Sequence, residues 1–249
     1  MAPNKRVLIV LTSADKIVKL DKPTGWYLIA SPFLNKWNHQ PELAHPFDVL
    51  NPKVELVVAS PKGGEAPLDQ GSVTAFASDP SSCNFLEKHA EVYKTTRRLA
   101  DMAAADFDAV FYPGGHGPMY DLVDDAHSIR LIQDFHRAGK PVAAVCHGPI
   151  VLVRAVADDG RAPLLRGRRM TGFTNKEEDA VGLLDAMPLL LEDEAKKCGC
   201  EWQQAAEPWG ECVVVDGNLI TGQNPASAKG VGEALAKALG KSTSMSGVG

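Results

Sequence analysis

The run Lys140 to Val153, KPVAAVCHGPIVLV, sets a cysteine and a histidine side by side where one apolar segment turns through a glycine into another. This is the outline of a strand-turn-helix nucleophile elbow. Such a turn strains the backbone at the nucleophile and places it at a helix N-terminus, where the dipole and free N–H groups favour a thiolate. Cys146 is therefore the candidate nucleophile and His147 its partner, with Gly148 relieving the crowding around the turn. A cysteine that only packs as a small hydrophobe would give the same strand end.

A second loop, Pro113-Gly114-Gly115-His116-Gly117-Pro118, follows the apolar run Ala109 to Tyr112. Glycines let the backbone approach a ligand closely, and their N–H groups can form an oxyanion hole with the amide after Cys146. Gly115 and His116 are the candidate oxyanion and substrate-binding residues; a plain strand-to-helix turn is the competing reading. The loop lacks the Gly-Lys-Ser/Thr ending of a phosphate-binding loop and does not match Gly-x-Gly-x-x-Gly. Cys198-Gly-Cys200 has no second Cys/His pair at zinc spacing, and the seven histidines are scattered, so no metal site is expected.

The elements that must hold these loops alternate along the chain. Short, nearly continuous apolar runs at Arg6 to Thr12, Val54 to Ala59, Ala109 to Tyr112, Val142 to Val145 and Leu219 to Thr221 read as strands buried on both faces. Helix-like segments lie between and after them, at Glu87 to Ala104, Ser128 to Ala138, Ile150 to Ala157, Ala180 to Cys198 and Ala226 to Leu239. The pattern predicts an α/β fold, a largely parallel sheet with helices on both faces. Ligands then sit where the loops gather, at the carboxyl ends of the strands.

Composition narrows the function. Of 249 residues, 26 are Lys or Arg and 31 Asp or Glu, a net charge of −5, and no basic run exceeds a pair. Nucleic acid and anionic membranes bind dense positive patches, so neither is expected as a partner. The chain is expected to form one domain over residues 1–240, without internal repeat or linker, followed by a disordered Ser/Gly-rich tail at 241–249. No stretch approaches the ~20 apolar residues of a membrane span, and the opening residues lack a secretory core. Five cysteines, an odd number, point to reduced thiols and a cytoplasmic protein, with nuclear presence left open.

Six blocks together carry a family likeness: SPKGG at Ser60 to Gly64, YPGGHG at Tyr112 to Gly117, AVCHGP at Ala144 to Pro149, TGFTNKEE at Thr171 to Glu178, EPWG at Glu207 to Gly210 and TGQNPAS at Thr221 to Ser227. In that order, over residues 5–240, the chain resembles the PfpI-like, class I glutamine-amidotransferase-like superfamily. Within it, the likeness is to the branch of glutathione-independent glyoxalases (glyoxalase III) and heat-shock chaperones. The resemblance implies a flavodoxin-like sandwich with a small cap region, commonly a homodimer.

It also implies a site. The family nucleophile falls on Cys146, its histidine on His147, and the triad acid on Glu178, with Glu177 the alternative if the short loop slips by one. A further glutamate, set against the nucleophilic sulfur, falls on Glu42 in the block Pro41 to Pro46. Between Thr24-Gly25-Trp26-Tyr27-Leu28 and that block the chain carries twelve residues the family lacks, Ile29 to Gln40. Loop insertions cost only ~0.6 kcal/mol of closure entropy per doubling of length, so the fold should tolerate them. A charged Glu42 would raise the thiol pKa by like-charge repulsion, so Glu42 is expected to be protonated by burial and the adjacent thiolate.

The activity implied is conversion of methylglyoxal, or glyoxal, with water to D-lactate or glycolate, without metal, nucleotide or glutathione. Three rivals use the same fold or residues. They are a holdase-type chaperone binding unfolded client proteins through apolar surface that includes Phe33, Leu34 and Trp37, a deglycase, and a cysteine peptidase or amidase. Redox sensing by a low-pKa thiol could accompany any of them. Cys83, Cys198 and Cys212 carry no motif, and Glu207 to Trp209 are expected to pack around the pocket.

Overall fold

The computed structural model describes residues 5–26, 42–75 and 79–241. Its centre is a seven-stranded sheet of β1 (Arg6–Val10), β2 (Glu55–Ser60), β3 (Arg97–Arg98), β4 (Ala109–Tyr112), β5 (Val142–Val145), β6 (Val213–Asp216) and β7 (Leu219–Gly222). The spatial order is β6-β7-β5-β4-β1-β2-β3. Every neighbouring pair is parallel except β6 and β7, which form an antiparallel edge. Successive strand side chains point to opposite faces, yet every residue of β4, β5 and β7 is buried, so both faces are covered.

The helices that cover the sheet include α1 (Ala44–Leu50), α2 (Pro80–Lys88), α3 (Ala126–Arg137), α4 (Asn175–Ala180), α5 (Leu191–Lys197) and α6 (Ala228–Lys241). α1 buries Ala44, Phe47 and Leu50 and packs on α6, while Phe47 meets Phe85 of α2 edge-on at 5.1 Å. This apolar anchoring brings the start of α1, and Glu42 with it, to the carboxyl end of the sheet. The Asp125 side chain caps α3 by accepting from the N–H groups of His127 and Ser128, and α3 buries Leu131, Ile132 and Phe135.

Several expected helices are broken. Glu87 to Ala104 contains the end of α2, a short helix Glu91–Lys94, the edge strand β3 and a 3₁₀ turn Leu99–Asp101. Within Ile150 to Ala157 the helical part is the end of a five-residue 3₁₀ helix, Gly148–Leu152. Ala180 to Cys198 is interrupted where Gly182 adopts φ +71° and Pro188 follows, and resumes as α5. β3 and β6 lay outside the strands expected: β3 is an exposed pair of arginines, and β6, VVVD, is a half-exposed edge strand whose three valines were passed over. Among the described residues no helix is long and apolar enough to cross a membrane. The inserted Ile29 to Gln40, with Phe33, Leu34 and Trp37, and tail residues 242–249 lie outside the described residues.

Candidate active site

Cys146 follows directly on β5. Its N–H donates to Gly222 of β7 at 3.0 Å, and its carbonyl accepts from the Phe173 N–H at 2.9 Å. Held from both sides, it adopts φ +61°, a left-handed conformation that a side chain with a Cβ enters only at a cost in strain. Gly148 permits the turn, since a Cβ there would collide with the carbonyl oxygen of Tyr112. The thiol is fully buried, and burial, together with the charge of Glu42, pushes its pKa well above the ordinary thiol value. The expected resting thiolate is thus not what this environment favours: the following helix is a short 3₁₀ segment, and desolvation with nearby carboxylates opposes ionisation.

Beside the thiol stands a closed hydrogen-bond network. His147 Nδ1 lies 3.4 Å from Cys146 Sγ, and its Nε2 lies 2.6 Å from Glu178 Oε2. The other oxygen, Oε1, lies 2.9 Å from His116 Nε2. All three side chains are at most 5% exposed. Burial alone would raise the Glu178 pKa, but electrostatic attraction and hydrogen bonds from His147 and His116 outweigh it and hold the carboxyl well below the usual range. An ionised Glu178 accepts only, so both imidazoles present Nε2–H to it, which leaves His147 Nδ1 as a lone pair facing sulfur. Burial, assisted by His116, lowers the His147 pKa and keeps the ring neutral.

Glu42 completes the sulfur's surroundings. It is fully buried, and its carboxyl faces the Cys146 thiol and the amides of Gly114 and Gly115. Neither carboxyl oxygen reaches hydrogen-bond geometry with the described residues. Desolvation dominates and raises its pKa to about 8, so the group is neutral at pH 7. Gly114 is the contact point, because a Cβ there would press on Glu42 Oε2 and lie 2.7 Å from Cys146 Cβ.

The structure thus brings Cys146, His147, Glu178, Glu42 and His116 together, and Gly115, at φ +86°, turns its amide toward Glu42. His116, expected at the substrate, has its Nε2 on Glu178. Donor atoms of His116, His147 and Glu178 lie within 4.8 Å of one another, yet each carboxylate oxygen is already taken by an imidazole. Of the two aromatic residues beside the site, Trp209 was expected to pack around the pocket, and Phe173 was not singled out in the sequence. Phe173 stacks on His147 with ring centroids 4.3 Å apart, and Trp209 meets Phe173 edge-on at 5.5 Å. Their signal was present in the TGFTNKEE and EPWG blocks, whose chemistry is carried by contacts between them.

The pattern of the DJ-1/PfpI family matches residues 33–238. The chain is 30% identical over 237 residues to the glutathione-independent glyoxalase HSP31 of Saccharomyces cerevisiae, covering 92% of this chain and 94% of that one. It is 29% identical over 232 residues to glyoxalase 3 of Candida albicans, covering 90% and 93%. The crystal structure of glyoxalase III from Candida albicans superimposes with a TM-score of 0.82 at 27% identity, over 94% of this chain and 97% of that one. The X-ray structure of the 24 kDa rapid encystment protein of Francisella tularensis gives 0.83 at 30% identity, over 94% and 99%.

Proposed function

This chain belongs to the DJ-1/PfpI family, and we propose that it is a glutathione-independent glyoxalase converting methylglyoxal and water into D-lactate. The observation that carries the reading is the buried Cys146, strained at φ +61° and 3.4 Å from an imidazole whose other nitrogen rests on Glu178.

Cys146 is the nucleophile. As its sulfur adds to the aldehyde carbon, the thiol proton passes to His147 Nδ1, so a thiolate forms only when a carbon is there to receive it. Glu178 stabilises the resulting imidazolium and fixes the ring, the part of a triad's third member. Glu42, neutral below about pH 8, donates a proton to the developing oxyanion, giving the hemithioacetal. Ionised by that transfer, it takes the carbon-bound proton; the electron pair moves toward the neighbouring carbonyl, which His147 protonates, giving an enediol. Glu42 returns its proton to the second carbon and takes the hydroxyl proton from the sulfur-bearing carbon, whose C–O bond becomes the carbonyl of an S-lactoyl thioester. Water, its proton drawn off by neutral His147, attacks that thioester; the C–S bond breaks, the sulfur is reprotonated and D-lactate leaves. The scheme uses one water and no oxidant, reductant, metal or glutathione.

The holdase reading gains nothing from the described residues, where the exposed large apolar side chains are Val18, Leu20 and Val215. A cytoplasmic homodimer acting on a small oxoaldehyde is the setting we propose for the enzyme, and analytical ultracentrifugation tests the assembly. Methylglyoxal consumption by the purified chain without glutathione tests the activity; folded protein that consumes none rejects it.

A further inference from the structure

Two of the three non-glycine residues with positive φ among the described residues are Cys146 and Trp209, and a line of contacts joins them. Cys146 Sγ meets His147, the His147 ring stacks on Phe173 at 4.3 Å, and Phe173 meets the Trp209 indole at 5.5 Å with the rings at 66°. The same Phe173 donates its N–H to the Cys146 carbonyl. A bulky residue at φ +66°, as Trp209 is, persists only where its surroundings over-determine it, and such strain concentrates at functional sites.

Glu177 supplies the determination. It is fully buried, and its Oε1 accepts from the Trp209 N–H at 2.9 Å, Gln223 Nε2 at 2.9 Å and Asn224 Nδ2 at 2.8 Å. Its Oε2 accepts from the Thr174 N–H at 3.0 Å and the Thr174 hydroxyl at 2.8 Å, closing the capping box of α4. Five donors converge on one carboxylate, more than a helix cap requires. Three of them come from outside α4 and its cap, on the Trp209 loop and on the segment after β7.

We propose that Glu177 is a positioning residue of the active site: it pins Trp209 in its left-handed conformation, so that the indole backs Phe173 and Phe173 fixes the ring plane of His147. The imidazole is then flanked by His116, 4.2 Å away, and Phe173, while its two nitrogens meet Cys146 and Glu178. Glu178 orients His147 through its edge and Glu177 through its face. Neighbours in the chain, the two glutamates act on one ring by separate routes. The role in catalysis rests on the glyoxalase reading; the role in holding the ring does not.

The test compares Glu177→Gln, which keeps the shape but replaces an acceptor oxygen with a donor, and Trp209→Gly, which accepts the left-handed backbone and removes the indole. Both are measured in the full chain by methylglyoxal turnover and by the carbon-bound ring proton signals of His147 in NMR, after thermal unfolding confirms a folded protein. The expected result is a fall in kcat of about tenfold or more with KM little changed, since small misplacements of a catalytic group cost up to ~10²-fold. The His147 signals should move in the same direction in both variants. Folded variants with wild-type kcat and unmoved His147 signals would overturn the proposal. Should Glu177→Gln not fold, Trp209→Gly decides alone by the same two readings. If the wild type is inactive yet the His147 signals move as expected, the glyoxalase reading fails and the positioning role stands.

Discussion

Glu177 and Glu178 are consecutive and both buried, yet their carboxyls serve different networks: Glu178 takes the Nε2 atoms of two histidines, and Glu177 takes amide and hydroxyl donors, Trp209 N–H among them. The hundred-degree step between helical neighbours is what separates them. One faces the sulfur's imidazole while the other ties the helix start to the Trp209 loop.

Replacing Glu178 with Gln should remove the charge that fixes the His147 tautomer and stabilises its imidazolium. The expected loss in kcat is ~10²- to 10⁴-fold, the scale seen when a triad acid is neutralised. Because the native pKa of Glu178 is depressed below its ordinary 4.5, the stability it contributes is present above that pH and lost as pH falls below it. Urea unfolding of the wild type should therefore show a steeper acid loss than Glu178→Gln; equal slopes would contradict the assignment.

For Glu42 the sign reverses. Its pKa rises from 4.5 to about 8 in the folded chain, so the native state holds a proton that the unfolded state has released. The contribution of Glu42 to stability is full below pH 4.5 and falls as pH climbs toward 8, by on the order of 1 kcal/mol per pH unit. Glu42→Gln should abolish that slope. It should also lower turnover, because the amide cannot exchange a proton, and remove the decline in activity near pH 8 that ionisation of Glu42 beside the thiol should produce in the wild type.

Gly114→Ala probes the packing between these two groups. A methyl there would press on Glu42 Oε2 and lie 2.7 Å from Cys146 Cβ and 2.8 Å from the Val145 carbonyl oxygen, closer than real contacts allow, so the loop, the strand end or Glu42 must shift. Since Gly114 lies in a loop at the sheet's end, the fold should persist while methylglyoxal turnover falls about a hundredfold, the effect of misplacing reacting groups by about 1 Å. Crystallography of the variant would show which group gives way; a wild-type rate with an unmoved Glu42 would contradict the close contact.

How much of this was legible in the sequence depends on whether the signal was local. Ala109 to Tyr112 and Val142 to Val145 were placed to the residue, because strands buried on both faces are continuous apolar runs with abrupt ends. The elbow at Cys146-His147 was readable for the same reason, as a strand running straight into its turn. The long helix expected over Glu87 to Ala104 failed because its apolar residues serve four short elements in succession, which periodicity alone does not separate. At the site, residue types were legible and their environments were not. The thiol's raised pKa follows from complete burial and from Glu42, a residue 104 positions away in the chain. The shared use of Glu178 by His116 and His147, and the Trp209–Phe173–His147 stack, are likewise long-range contacts that no spacing rule encodes. The family likeness pointed to Glu178 beside His147 and to Glu42 beside the sulfur, and both stand there in the fold.

The most direct test is D-lactate formation from methylglyoxal, measured by a stereospecific dehydrogenase assay without glutathione or added metal, for the wild type and for Cys146→Ser. The account predicts D-lactate from the wild type and none above background from the folded Ser variant. D-lactate formed equally by both, or by neither while the wild type is folded, would contradict it.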